Sequence, residues 1–122
     1  MLKRIEDMPS GAIGVRASGK VSREDYRDVL VPALEEAVEQ GEVRLMYVAE
    51  PGFAMEAGAV LEDAKASLGL GLRHLSAWKR TAFVTDIDWL RSAVHAFAWM
   101  APGEVMVCGL DQEDEARLWV AG

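Results

Sequence analysis

Cysteine is nearly absent from this sequence, and no apolar run is long enough to cross a bilayer. Cys108 is the one cysteine among 122 residues, so an internal disulfide framework is excluded, which suits a reducing compartment. A membrane-spanning helix would need about 20 consecutive apolar residues, and no such run occurs. The segment Met1–Ser10 has basic residues but no apolar run behind them, unlike a secretory signal. We therefore expect a cytoplasmic protein without a membrane span.

Positive charge and histidine are also scarce. Lys and Arg total 13 against 20 Asp and Glu, which leaves a formal net charge of −7. Such an acidic balance argues against nucleic-acid binding and against a broadly basic, membrane-facing surface. His74 and His95 are the two histidines, and neither has a cysteine or carboxylate at a convincing metal-ligand spacing. We expect no metal, no cofactor and no catalytic residue, and hence no enzyme.

Apolar residues, by contrast, are plentiful. They make up 51% of the chain, which is too many for a disordered protein. A chain of this length fits one domain and buries roughly 65% of its unfolded surface, which is enough for a core without disulfides. The sequence predicts a single domain over residues 1–122.

Strands and helices alternate along the chain. Alternating or continuous short apolar runs predict five strands, which are Met1–Glu6, Ile13–Ala17, Val43–Ala49, Thr81–Thr85 and Glu104–Cys108. Helical spacing predicts four helices, which are one from Ser22 to Gly41, then Glu56–Leu72, Ile87–Met100, and a short terminal helix capped by Asp111. The order β-β-α-β-α-β-α-β-α predicts an α/β fold with a mainly parallel sheet, and the first two strands form an antiparallel hairpin at its edge.

Local signals mark the ends and breaks of these elements. Ser22 and Asp25 have the spacing of a capping box at the start of the first helix. Pro32 lies inside that helix, where it costs about 3 kcal/mol, so we expect a kink or two short helices. Glu50–Phe53 is predicted to be a loop, and Arg73–Arg80 a connector.

The helix Ile87–Met100 is the most unusual segment, because it is too apolar for an ordinary surface helix. Its polar residues Asp88, Arg91, Ser92 and His95 occupy one stripe of about 100°. The rest of its surface is apolar, so it needs neighbours on more than one side. Trp89 and Phe97 are most simply core residues, whereas Trp99 falls within the polar stripe. We expect Trp99 to serve either as a core residue or at an interface or ligand lid.

Three carboxylates follow predicted strands, and ligands favour that edge of a parallel sheet. Glu50, Asp86 and Asp111 could bind a divalent cation there. Asp86 and Asp111 also stand where helix N-caps belong, and capping is the simpler interpretation.

The other polar groups are explained more simply by a structural role than by a functional one. Arg73, His74, Lys79 and Arg80 form a basic patch that either is a solvated connector or holds a phosphate or lipid headgroup. His95 shares a stripe with Arg91 and Asp88 and is best explained as solvated or salt-bridged. Cys108 ends an apolar strand and is better explained as a small buried hydrophobe than as a reactive thiol.

Residues spread over nearly the whole chain resemble one known family. They are Gly19–Tyr26, Pro32, Leu34–Ala37, Trp78–Arg80, Ala82–Val84, Asp86, Trp89, Pro102–Glu104, Glu115, Ala116 and Trp119. This pattern resembles the SpoIIAA-like branch of the STAS superfamily, which is named for sulfate transporters and anti-sigma-factor antagonists. The same fold group is related to the CRAL-TRIO lipid-transfer domains.

The resemblance implies two roles. Anti-sigma-factor antagonists are protein-binding switches with a phosphorylated serine at the start of the helix after the central strand. The matching region here, Glu50–Glu56, contains no Ser or Thr, so that switch is not carried over. The lipid-transfer relatives hold an acyl chain beneath mobile helices, and this implies a similar opening here.

Two hypotheses follow. In the first, the protein is a non-enzymatic module that binds an acyl or lipid-like ligand between its sheet and mobile helices, and the predicted lining is Met55, Leu61, Leu68, Trp89, Leu90, Val94 and Phe97. In the second, the same helix face and Trp99 form a homodimer or dock a regulatory partner. Arg73, Lys79 and Arg80 are the candidate anion or headgroup residues.

Overall fold

The computed structural model describes residues 1–55, 75–101 and 103–122. Its strands are β1 (Leu2–Arg4), β2 (Ile13–Ala17), β3 (Lys20–Val21), β4 (Val43–Ala49), β5 (Ala54–Met55), β6 (Trp78–Thr85) and β7 (Glu104–Cys108). Its helices are α1 (Arg23–Asp25), α2 (Val31–Glu39), α3 (Asp88–Phe97) and α4 (Glu113–Ala121), with a π-helical turn Tyr26–Leu30 between α1 and α2. Short 3₁₀ turns lie at Leu75–Ala77, Ala98–Met100 and Leu110–Gln112. The predicted helix Glu56–Leu72 lies outside the described residues.

The main sheet has five strands in the order β1-β2-β4-β6-β7. Strands β2, β4, β6 and β7 are parallel, and β1 pairs antiparallel with β2 at the edge. This confirms the predicted α/β fold with its antiparallel hairpin. A second sheet of two short parallel strands, β3 and β5, was not predicted. None of the helices among the described residues has the length and apolar character needed to cross a membrane.

The first helical segment begins and changes pitch at the residues that the sequence marks. Ser22 and Asp25 form the predicted capping box, with the Ser22 side chain accepting from the Asp25 N–H at 3.2 Å. The irregularity expected at Pro32 is a π-helical turn immediately before it, closed by the Val31 N–H donating to the Tyr26 carbonyl. A proline has no N–H for the helical ladder, and a π turn changes the hydrogen-bond register at that point.

Two hydrophobic cores lie on opposite faces of the sheet. On β4, Leu45 and Tyr47 face the first core, which lies beneath the π-helical turn and α2, whereas Met46 and Val48 face the second core, which lies beneath α4. Side chains alternate along a strand, so a segment covered on both faces has apolar residues at successive positions. This explains the continuous apolar run Leu45–Ala49 in β4.

Two features differ from the sequence-based expectations, namely the residue at which β6 begins and the cap of the terminal helix. β6 begins at Trp78, so Trp78–Arg80 belong to a strand and not to the predicted connector. Trp78 is in register with Val43 on β4, and this pairing extends the strand. Asp111 does not cap the terminal helix as predicted, because it lies inside the 3₁₀ turn before α4, where Gln112 Oε1 accepts from the Gly109 N–H at 3.2 Å.

Candidate functional site

A row of aromatic rings leads from the sheet to the surface near the carboxyl ends of the parallel strands. Tyr47 and Phe83 are register partners on β4 and β6, and their ring centroids are 5.9 Å apart. Phe53 packs edge-on against Tyr47 at 6.3 Å. Trp89 stacks on Phe53 at 5.9 Å with an interplanar angle of 15°. We call Tyr47, Phe53, Phe83 and Trp89 the aromatic row.

Phe53 joins this row because the chain turns sharply after β4. Gly52 has a φ of +89°, a conformation that glycine adopts without penalty. The Phe53 N–H donates to the Glu50 carbonyl at 3.0 Å, and this turn returns the ring to the first core, where it is buried. Phe53 lies in the predicted loop, and an aromatic residue directly after a Pro-Gly turn is the sequence signal that could have identified its packing.

A buried hydroxyl pair anchors the helical segment beside this row. The Tyr26 and Tyr47 hydroxyls lie 2.8 Å apart. The Tyr26 hydroxyl also donates to Met55 Sδ at 3.8 Å. Met55, one of the predicted lining residues, is therefore half-buried against the first core.

Trp89 is not the core residue that its most direct interpretation suggested. One face of the indole stacks on Phe53, but 53% of the side chain is exposed. Leu90 and Val94 lie on the inward face of α3. Leu90 packs with Ile87 against the first core, and Val94 is half-buried. Trp89 precedes Leu90 by about 100° around the helix, which turns it towards solvent.

A line of uncharged residues, with a tryptophan at each end, runs along the outward face of α3 into the 3₁₀ turn Ala98–Met100 that follows it. Trp89, Ser92, Ala96 and Trp99 are all exposed, and Trp99 reaches 81%. Their spacing of three, four and three residues places them within an arc of about 80° on a helix. We call these residues the outer stripe. Of the other predicted lining residues, Leu61 and Leu68 lie outside the described residues, and only the backbone of Phe97 is described.

The carboxylates that follow β4 and β6, those of Glu50 and Asp86, have different partners. Asp86 Oδ1 accepts from the Leu110 N–H at 3.3 Å, so Asp86 binds the turn before α4 and does not cap its own helix. Thr85 Oγ1 instead accepts from the Ile87 N–H at 3.1 Å, just before α3. Glu50 lies 3.9 Å from the Arg16 guanidinium. Over the described ranges, no group of three or more His, Cys, Asp or Glu residues is arranged to hold a metal ion.

Arg80, a predicted headgroup residue, is held at the end of the terminal helix. Its guanidinium donates to Glu104 at 2.8 Å and to the Trp119 carbonyl at 2.7 Å, and it lies 4.9 Å from the centre of the Trp119 ring. Arg44 donates in the same way to the Val120 carbonyl at 3.0 Å. Cations suit the last turn of a helix, so these arginines stabilise α4. Lys79 is exposed, and Arg73 lies outside the described residues. Anion binding by this patch stays a prediction.

Cys108, the potential nucleophile, is buried, whereas His95, a potential general base, is exposed. Cys108 is 5% exposed, and desolvation by burial raises the pKa of its thiol above the ordinary value. This matches the expected small buried hydrophobe. His95 is exposed on α3, and His74 lies outside the described residues.

Two shallow depressions lie away from the aromatic row, beside the hairpin of β1 and β2. Residues common to both are Arg4, Met8, Ala12 and Ile13. Among the predicted lining residues whose side chains the structure describes, Met55, Trp89, Leu90 and Val94, none borders either depression.

Comparison with known proteins identifies the architecture. The SpoIIAA-like family matches residues 12–121. A crystal structure of an uncharacterized protein from the DUF3478 family, with a SpoIIAA-like fold, from Shewanella loihica PV-4 is similar with a TM-score of 0.66 and 22% identity. The match covers 98% of this chain and 93% of that one, and at this identity it carries the fold alone. No curated protein matches the chain.

Proposed function

The chain belongs to the SpoIIAA-like family, and we propose that it is a non-enzymatic interaction module that binds another protein through the outer stripe of α3. The observation that carries this proposal is the exposure of two tryptophans, 53% for Trp89 on α3 and 81% for Trp99 in the 3₁₀ turn that continues it. Tryptophan is enriched at the energetic centres of protein interfaces.

Both indoles leave apolar surface in contact with water. An aromatic side chain buries about 150–250 Å² when fully covered, so the two indoles leave roughly 250 Å² of their surface in water. Contiguous apolar patches of a few hundred Å² commonly mark interaction sites. Ser92 and Ala96 between the indoles are small, so a partner can approach the helix backbone closely.

The chemistry of the described residues supports binding in preference to catalysis. SpoIIAA-like and STAS proteins are generally non-enzymatic. Cys108 is buried with a raised thiol pKa, which disfavours the nucleophilic thiolate. The turn 50–53 after β4 has no hydroxyl side chain, so the interaction we propose works without the phosphoserine of the anti-sigma-factor antagonists.

A photo-crosslinking experiment in cells tests this proposal. A benzophenone amino acid replaces Ser92 in the outer stripe, and the matched control replaces Leu118, which is 71% exposed on α4. We expect a covalent adduct of discrete mass from position 92 only, and its loss when Trp99→Ala is added. Equal labelling at both positions, or no discrete adduct at position 92, would contradict the proposal.

A second function, binding of an acyl or lipid-like ligand, is favoured by one specific observation. Phe83 lies on β6, an interior strand, and yet its ring is only half-buried. Val105 and Val107 on the neighbouring strand β7 are also half-buried. A parallel strand with neighbours on both sides is normally covered completely, so apolar surface beside the aromatic row is accessible to a ligand.

Displacement of a fluorescent dye by fatty acids tests this second function. We expect saturable displacement near one ligand per chain, weakened at least tenfold by Phe83→Ser and unchanged by the control Leu118→Ala. Unfolding in urea shows whether Phe83→Ser still folds, and quenching of tryptophan emission by the ligand in the unaltered protein is an independent readout. Absence of both displacement and quenching at saturating fatty acid would exclude it.

A further inference from the structure

The arrangement of the outer stripe also specifies a partner, and this inference rests on the proposed interaction role. We infer that the partner is a second copy of this chain, and that the two α3 helices pair antiparallel about a two-fold axis. The axis passes close to position 94, midway between the two tryptophans.

The stripe is self-complementary under such an axis. Residue pairs facing each other across it have numbers that sum to 188. Trp89 of one copy therefore faces Trp99 of the other, and Ser92 faces Ala96. Large residues meet at both ends and small residues meet in the middle, where the two backbones must come closest. Closed dimers of this isologous kind are the commonest oligomers.

Charge favours the same orientation. Each copy carries a net charge of −7, but all four stripe residues are uncharged, so two acidic molecules can meet here without facing like charges. The exposed Asp88 borders the stripe. Antiparallel pairing separates the two Asp88 carboxylates by about 18 Å along the helices, well beyond the screening length of about 8 Å. Parallel pairing would place them side by side.

The area of the stripe indicates how strong the dimer is. The four indoles of two copies supply about 500 Å² of exposed aromatic surface. Stable interfaces bury about 1,200–2,000 Å² in total, and two short helices add only their neighbouring side chains. We therefore expect a reversible dimer with a dissociation constant of about 1–100 μM.

Sedimentation equilibrium of the full chain across a dilution series tests for the dimer. Trp99 is largely exposed, so Trp99→Ala leaves the core intact and should weaken the dimer at least about 30-fold, since both copies lose an indole. Leu118→Ala, the matched control on α4, should leave the dissociation constant unchanged. Raising the salt concentration should tighten the dimer, because screening reduces repulsion between the two acidic molecules. A mass that stays monomeric up to about 500 μM protein would overturn the inference.

Cysteine cross-linking tests the orientation. Ser92→Cys protein is mixed with an affinity-tagged Ala96→Cys protein and oxidised mildly, while the native Cys108 is shielded by burial. We expect disulfides between the two different variants to outnumber those between identical copies. A preference for identical pairs would indicate parallel helices and refute the antiparallel arrangement.

The photo-adduct from position 92 distinguishes failure of this inference from failure of the proposed function. An adduct of twice the chain mass supports the dimer. A discrete adduct of another mass, together with a monomeric protein, would reject the second copy as partner but retain the interaction role. Absence of any discrete adduct would reject both.

Discussion

Replacing Gly103 by alanine should destabilise the protein more than the same change at Gly11. Both glycines have a left-handed backbone, with φ of +77° at Gly103 and +85° at Gly11. That conformation costs an alanine about 1–2 kcal/mol, and the reduced entropy of the unfolded chain offsets about 0.4–1 kcal/mol. Gly11 has no atom within 4 Å of the added carbon. We therefore expect Gly11→Ala to cost about 1 kcal/mol or less.

Gly103 differs because it lies against the backbone of β6. An added carbon would stand 2.6 Å from the Trp78 carbonyl oxygen and 2.7 Å from that of Lys79. These are backbone atoms of β6, where Trp78 is in register with Val43 on β4, so relief requires main-chain movement costing about 1–3 kcal/mol more. Urea unfolding should show a total loss of about 2–4 kcal/mol for Gly103→Ala, lowering the midpoint by about 1–2 M. Equal losses at Gly103 and Gly11 would refute the close approach that places β7 after the 3₁₀ turn bearing Trp99.

Three further outcomes test local contacts. Burial raises the Cys108 pKa, so alkylation should be slower than for a free thiol at neutral pH, and an equal rate would be inconsistent with burial. Hydrogen bonds from Ser22 lower the Asp25 pKa below 3.8, and the stability this provides is present above that pH and lost as the pH falls through the lowered value. Asp25→Asn should therefore cost about 1 kcal/mol at pH 7 and less near pH 3 by urea unfolding, and a cost independent of pH would contradict the cap. Arg80→Ala should lower stability by about 1–2 kcal/mol in the same assay, whereas Glu104→Gln, which removes only an exposed ion pair, should lower it by less than about 1 kcal/mol. Equal losses would show that the carbonyl contact of Arg80 contributes nothing.

Much of the topology could be predicted from local pattern. β4 and β7 have the predicted bounds, Val43–Ala49 and Glu104–Cys108, because continuous apolar runs bounded by turn residues identify buried strands. The capping box at Ser22 was predictable because its hydrogen bonds join residues three apart in the chain. The start of β6 at Trp78 was not predictable, because pairing with a distant strand, β4, decides it.

The candidate site was predicted less completely, since it depends on contacts between distant elements. An excess of apolar side chains on the segment 87–100 was evident from spacing. The sequence could not show that Trp89 stacks on Phe53, because those residues are brought together only when the turn after β4 folds back. Nor could it assign Asp86 to the Leu110 N–H, since the local alternative, capping its own helix, has the same sequence signature.

The sequence by itself determined the strands of the main sheet, their mainly parallel arrangement with an antiparallel hairpin, and the two-sided burial of β4, because hydrophobic periodicity is a property of neighbouring residues. Only the tertiary structure decided which side chains of α3 face solvent. That choice depends on how the helix lies against β6 and β7, and the rotation that directs Leu90 into the core turns Trp89, Ser92, Ala96 and Trp99 outward.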